Sequence, residues 1–147
     1  MTESRQDPLS PAGLEELLRE AGLAIPPGAA ETLSLHAREM LRWNRAIRLT
    51  AITDPLEVAV KHVVDSLLLL GFGPFPGRTL DFGSGAGYPG IPLAVCAPES
   101  RVVLLEATAK KCAFLSRARA LIGLSNIEVV CGRLEKRRSL PIGLFGH

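Results

Sequence analysis

Asp81-Phe82-Gly83-Ser84-Gly85-Ala86-Gly87-Tyr88-Pro89-Gly90 is the stretch whose reading decides the fold. Glycines at 83, 85 and 87 let the backbone turn sharply and approach a ligand with no Cβ in the way, and Pro89 preorganises a helix start. The segment from Arg78 to Phe82 before it is a short apolar strand, and the segment from Pro89 to Ala97 after it is helical in pattern. The alternation continues with a strand at Arg101 to Leu105, a helix from Ala109 to Ile122 and a strand at Ile127 to Cys131. Two βαβ units sharing a strand require a parallel sheet covered by helices on both faces, with right-handed crossovers. The class is therefore α/β.

Upstream of the loop the spacing is helical. Pro11, Leu14, Leu17, Leu18 and Ala21 recur at intervals of three and four and stop at Gly22. A second helix is expected from Ala29 to Ile47, with Leu33, Ala37, Met40 and Leu41 on one face and Arg38, Arg42 and Arg45 on another. Asp54-Pro55-Leu56-Glu57 reads as a capping-box variant opening a third helix that runs to Gly71. The breaker-rich stretch from Gly71 to Gly77 is the best internal boundary. It divides the chain into an N-terminal helical cap, 1–77, and a ligand-binding half, 78–147.

At 147 residues and 47% hydrophobic composition, the chain can bury one ordinary core. Its net charge of +2 leaves any attraction to a polyanion to local clusters of Lys and Arg. Cys96, Cys112 and Cys131 are spaced too widely for zinc or redox motifs and are expected as packed, reduced thiols; no metal site is expected. The longest apolar runs are interrupted well short of the about 20 residues that cross a bilayer, and Met1 to Leu18 shows no leader pattern. A cytoplasmic protein without membrane attachment is the expectation.

In an open α/β sheet, ligands sit in the crevice beyond the carboxyl ends of the strands. Glu106 closes the second strand 21 residues after Gly85, where its carboxylate can accept from two ribose hydroxyls. The pairing reads as a nucleoside site. Gly85 to Gly90 also fits the dinucleotide fingerprint, so an NAD-dependent oxidoreductase fragment competes. Asp81 disfavours that reading, because a carboxylate beside the loop repels a pyrophosphate but attracts the ammonium and sulfonium of S-adenosylmethionine. So do the roughly 77 residues ahead of the first strand, since dinucleotide domains commonly open near it. A non-catalytic interaction module built on the helical cap is the third reading.

Several segments together resemble one family, the bacterial small-subunit ribosomal RNA guanine-N7 methyltransferases, also called glucose-inhibited division protein B. They are Trp43 to Thr50, Lys61 to Ser66, Asp81 to Pro92, Leu104-Leu105-Glu106 with Lys110-Lys111, and Gly132 to Glu135. The resemblance implies a Rossmann-like class I fold that binds S-adenosylmethionine, acting on 16S ribosomal RNA or the 30S subunit. It implies that Gly83, Ser84, Gly85, Gly87 and Tyr88 line the cofactor, that Glu106 takes the ribose, and that Leu134 and Glu135 flank the adenine. Arg48 and Leu134 depart from the family's usual Asn and smaller residue. After Glu135 the chain reads Lys136-Arg137-Arg138-Ser139-Leu140-Pro141-Ile142-Gly143-Leu144-Phe145-Gly146-His147 rather than the family's next strand. The expectation is an incomplete sheet of about three parallel strands, with Thr79 to Phe82 an open edge that invites self-association. Pro141 disfavours Leu140 to Phe145 as a central surrogate strand.

The implied reaction removes no proton before the guanine N7 lone pair attacks, so proximity and alignment dominate and no catalytic acid–base residue is singled out. His62 and Asp65, three apart on one helix face, are candidates for contact with RNA or with the cofactor pocket. Trp43 and Asn44 are expected to anchor the cap onto the sheet. Arg38, Arg42, Arg45, Arg48 and Lys61, and separately Lys110, Lys111, Arg117 and Arg119, are candidates for meeting RNA phosphates.

Overall fold

The structure, a computed structural model, describes residues 6–72 and 77–132. Its element order is α1 (Pro11–Glu20), α2 (Ala29–Trp43), α3 (Pro55–Glu57), a π-helical stretch (Val58–Val64), α4 (Asp65–Leu68), a 3-10 turn (Leu69–Phe72), β1 (Arg78–Phe82), α5 (Gly90–Cys96), β2 (Arg101–Glu106), α6 (Ala109–Ile122) and β3 (Ile127–Cys131). The strands are parallel in the order β1-β2-β3, as a shared-strand pair of βαβ units demands.

Local chemistry sets the helix ends. Ser10 Oγ accepts from Gly13 N at 3.0 Å and Pro11 opens α1, whose Leu14 and Leu18 are buried. Asp54 Oδ2 accepts from Glu57 N at 3.1 Å, while the Glu57 carboxylate pairs with Lys61 at 3.0 Å instead of reaching back to the cap. The expected second helix ends four residues early. Asn44 Oδ1 accepts from Leu49 N at 2.7 Å and Thr50 N at 3.0 Å, which folds the chain out of the helical path.

One apolar cluster runs from Leu9, Leu14, Leu33 and Met40 in the helices through Ile91, Leu104 and Phe114 to Ile127. β2 is the central strand, buried from Val102 to Glu106. Trp43 packs edge-on against Phe114 of α6 with centroids 5.7 Å apart, tying the helical layer to the sheet layer. β1 stands outermost in the described strand order, in register with β2 from Arg78 to Phe82.

The cysteines depart from expectation. Cys112 and Cys131 form a disulfide with Cα atoms 5.9 Å apart, and Cys96 remains a thiol. The cause is the crossover: α6 starts just beyond Glu106, and β3 returns beside β2 with Cys131 in register with Glu106. Residues 19 apart in sequence therefore meet at one end of the sheet. Leu134, Glu135 and the segment after them lie outside the described residues.

Candidate nucleoside site

The glycine loop folds back over the end of β2. Gly83 N and Ser84 N both donate to Leu105 O, at 2.8 and 3.2 Å, and Gly87 N donates to Ser84 O at 2.6 Å. Ser84 is buried and its hydroxyl donates to Asp81 O at 2.9 Å. The two elements that the sequence singles out meet directly. Glu106 Oε1 accepts from Gly85 N at 2.8 Å, and Oε2 accepts from Thr108 N at 2.9 Å. With the Thr108 hydroxyl as a third donor, the carboxylate keeps capacity for about one further bond.

The glycines of the loop differ in the room around them. Gly83 is exposed and a Cβ there would meet nothing within 4 Å, whereas Gly85 is buried and its Cβ would rest in ordinary contact with Gly83 O at 3.7 Å and with Glu106 Oε1 and Leu49 O at 4.0 Å, both at positive φ. Gly87 faces inward: at φ +91° its Cβ would lie 2.6 Å from Ile91 Cδ1 and 2.9 Å from His36 Nε2. Gly90 is equally constrained, because a Cβ there would meet Leu104 Cδ2 at 2.4 Å and Asp81 Oδ2 at 2.7 Å. That close approach lets Gly90 N donate to Asp81 Oδ2 at 3.1 Å.

Two carboxyl groups thus flank the glycine loop. Burial pushes Asp81 up to about 6, with the nearby Glu106 charge adding to it and the Gly90 amide and Ser84 opposing. For Glu106 burial acts upward, but the Thr108 and Gly85 amides, the Thr108 hydroxyl and the Lys111 charge outweigh it and hold the carboxyl below its usual range. Two carboxyl groups beside the loop suit a nucleoside bearing cationic groups and fit a pyrophosphate poorly.

His36 went unremarked in the sequence. It is fully buried on the apolar face of α2, and its Nε2 lies 2.8 Å from Ala86 O. A carbonyl only accepts, so Nε2 carries the proton and Nδ1, which has no partner among the described residues, is bare. Burial lowers its pKa to about 4, keeping the ring neutral. The histidine at an apolar helix position was the available signal; its target on the loop was not. Tyr88 contacts two histidines, His36 at 4.5 Å between centroids and His62 at 4.6 Å in a parallel stack, and its buried hydroxyl has no partner among the described residues. His62 Nε2 is also 2.9 Å from Thr50 Oγ1.

The basic clusters are largely committed to structure. Arg38 pairs with Asp7 at 2.6 Å and Arg42 with Glu39 at 3.2 Å. Arg117, placed among the phosphate candidates, instead reaches the buried Glu39 at 3.5 Å, and Arg119 Nε donates to Ile127 O at 2.7 Å. Arg38, Arg42 and Arg45 line an open cavity of about 660 Å³, which contains none of the loop residues.

Known proteins place this geometry in context. The family model described as rRNA small subunit methyltransferase G matches residues 29–142. A ribosomal RNA small subunit methyltransferase G 1 from Syntrophobacter fumaroxidans is 42% identical over 136 residues, 92% of this chain and 60% of that protein. The Neisseria gonorrhoeae methyltransferase G is 42% identical over 125 residues, covering 82% of this chain and 60% of its own. The chain therefore spans about 60% of the length of these curated relatives. Among solved structures, a protein-L-isoaspartate O-methyltransferase shares the fold with a TM-score of 0.55 at 18% identity, covering 83% of this chain and 42% of its own. A Plasmodium falciparum protein-L-isoaspartate O-methyltransferase in complex with S-adenosyl-L-homocysteine scores 0.52 at 18% identity, covering 95% and 68%. The class I methyltransferase fold of the solved neighbours, and a match of about 40% identity across most of the sequence, lead to one assignment: the chain belongs to the rRNA small subunit methyltransferase G family.

Proposed function

We propose that this chain binds S-adenosylmethionine in the crevice between the glycine loop and Glu106, as the donor half of an enzyme that methylates guanine N7 of 16S ribosomal RNA in the 30S subunit. The observation that carries the reading is the hydrogen bond from Gly85 N to Glu106, which joins loop and carboxylate into one wall. Gly83 brings bare backbone to the nucleoside and Gly85 ties the loop to Glu106, while Ser84 and Gly87 hold the loop's shape. Glu106 accepts from a ribose hydroxyl with its remaining acceptor capacity, and Asp81 faces the cationic amino acid end. Tyr88 walls the methyl-donating side, and Leu134 and Glu135 are the proposed adenine neighbours. The bound donor supplies an electrophilic methyl group on a sulfonium. What the protein adds is alignment and exclusion of water. In this reading 1–77 caps the site and 78–147 carries it. A second copy adding to the outer edge of β1 is the further partner proposed, and a monodisperse monomer in light scattering contradicts it.

Calorimetric titration tests the cofactor. S-adenosylmethionine should bind, NAD should not, and Glu106→Gln should weaken the former about tenfold or more, the worth of a hydrogen bond to a charged acceptor. Binding of NAD alone, or unchanged affinity in Glu106→Gln, overturns the proposal. Mapping methylation of 30S subunits exposed to the chain then tests guanine N7 as the acceptor atom.

A further inference from the structure

Beside the glycine loop, on the helical side, lies a cavity of about 270 Å³ whose lining includes Lys61, His62, Asp65, Ser66, Tyr88 and Pro89. Its lining includes Tyr88-Pro89, the continuation of the glycine loop, so it adjoins the proposed donor site through Tyr88. Its wall comes from the π-helical stretch Val58–Val64 and the start of α4. π-wound segments are rare and concentrate at functional sites, because they misalign a turn to re-aim side chains. Here the stretch carries Lys61 and His62. The volume accommodates one nucleobase and is small for a base pair.

The lining chemistry is selective. The His62 ring lies parallel to that of Tyr88 within 6°, giving the cavity a flat aromatic border. Asp65 is an exposed carboxylate, an acceptor without a donor of its own. Lys61 supplies a cation held near the rim by Glu57 at 3.0 Å. We infer that this cavity receives the target base extruded from the RNA, and that Asp65 selects guanine by accepting from its N1–H and exocyclic amine. That edge of guanine carries two adjacent donors, whereas adenine offers a bare N1 to the carboxylate and is repelled. With the Watson–Crick edge on Asp65, N7 lies on another edge of the ring, where the donor can reach it. His62 stacks on the base, and Lys61 meets the flanking phosphate. Asp65 is a specificity determinant, and His62 positions the base.

The inference rests on the proposed donor site, and its test is kept separate from it. Tyr88 is the only tyrosine in the sequence. Ring-labelled tyrosine therefore gives one NMR signal, located at this cavity. The full chain, saturated with S-adenosylhomocysteine, is titrated with guanosine monophosphate and with adenosine monophosphate. Guanosine monophosphate should shift the Tyr88 signal saturably and about tenfold more tightly than the adenine nucleotide, in line with one two-donor base contact. Asp65→Asn should bring the two nucleotides within about twofold while leaving S-adenosylhomocysteine affinity, measured by calorimetry, unchanged. No shift, equal shifts in the native chain, or a preference that survives Asp65→Asn overturns the inference. A guanine preference without S-adenosylhomocysteine binding would instead sink the donor site and leave the base pocket standing.

Discussion

Alanine at position 87 and alanine at position 85 should have separable consequences, although both replace a glycine of the same loop at positive φ. At Gly87, φ +91°, the added methyl carbon would stand 2.6 Å from Ile91 Cδ1, 3.2 Å from Ile91 Cγ1 and 2.9 Å from His36 Nε2. Neither neighbour can retreat, because Ile91 and His36 are both fully buried. Three costs accumulate: about 1–2 kcal/mol for the left-handed backbone, about 1–3 kcal/mol for overpacking, and about 1–3 kcal/mol if His36 moves and leaves Ala86 O unpaired. A total of roughly 4 kcal/mol is a large part of the about 5–15 kcal/mol that stabilises a typical domain. At Gly85, φ +48°, nothing lies nearer than 3.7 Å, so only the backbone cost of about 1 kcal/mol remains. Urea unfolding followed by circular dichroism, at a common slope, gives the two values. Gly85→Ala should keep its fold yet lose S-adenosylhomocysteine affinity, since its methyl group would stand 4.0 Å from the Glu106 carboxylate oxygen on which the proposed donor site relies. Equal destabilisation in the two variants would refute the difference in room around the two glycines.

Acid should expose two opposed groups. His36, lowered to about 4, refuses a proton that the unfolded chain takes near 6.5, so its contribution is present above pH 6.5 and lost as pH falls towards 4. Asp81, raised from 3.8 to about 6, binds its proton earlier when folded and adds stability as pH falls from 6 towards 3.8. Asp81→Asn removes that opposition, so its loss of stability between pH 7 and pH 5 should exceed the native loss by about 1 kcal/mol; equal losses in urea titrations would contradict the assignment. Asn44→Ala should cost about 2 kcal/mol by stranding the Leu49 and Thr50 amides, and a cost under about 0.5 kcal/mol would mean that water replaces the cap. Thiol titration of the denatured chain should count one reactive cysteine before reduction and all three afterwards; three before reduction would remove the Cys112–Cys131 bond.

Pattern carried the architecture. The strand-loop-helix run around Asp81 to Gly90 and the spacing from Gly85 to Glu106 were legible because period and position along one chain fix which end of a parallel strand a residue occupies. Partners across elements were not legible. Glu39 lies on α2 where the helical period gives no reason for a charge to be buried, and its two arginine partners, Arg42 on the same helix and Arg117 on α6, explain it. For the same reason the partners of Arg117 and Arg119, candidates for RNA phosphates, were not legible: one reaches the Glu39 carboxylate and the other closes on Ile127 O. Asn44 was expected to tie helices to sheet; its side chain serves its own loop, and Trp43 makes the tie through Phe114. The cysteine pairing depended on crossover geometry that spacing alone does not encode.

The aromatic contacts around His36 give the molecule a built-in reporter. Trp43, the sole tryptophan, meets Phe114, which lies 6.3 Å from His36, which in turn contacts Tyr88 on the loop. A rearrangement of the loop upon filling thereby reaches, through neighbouring rings, an indole about two turns along α2 from His36. Intrinsic emission of the untouched protein can therefore register occupancy of the crevice without any attached dye.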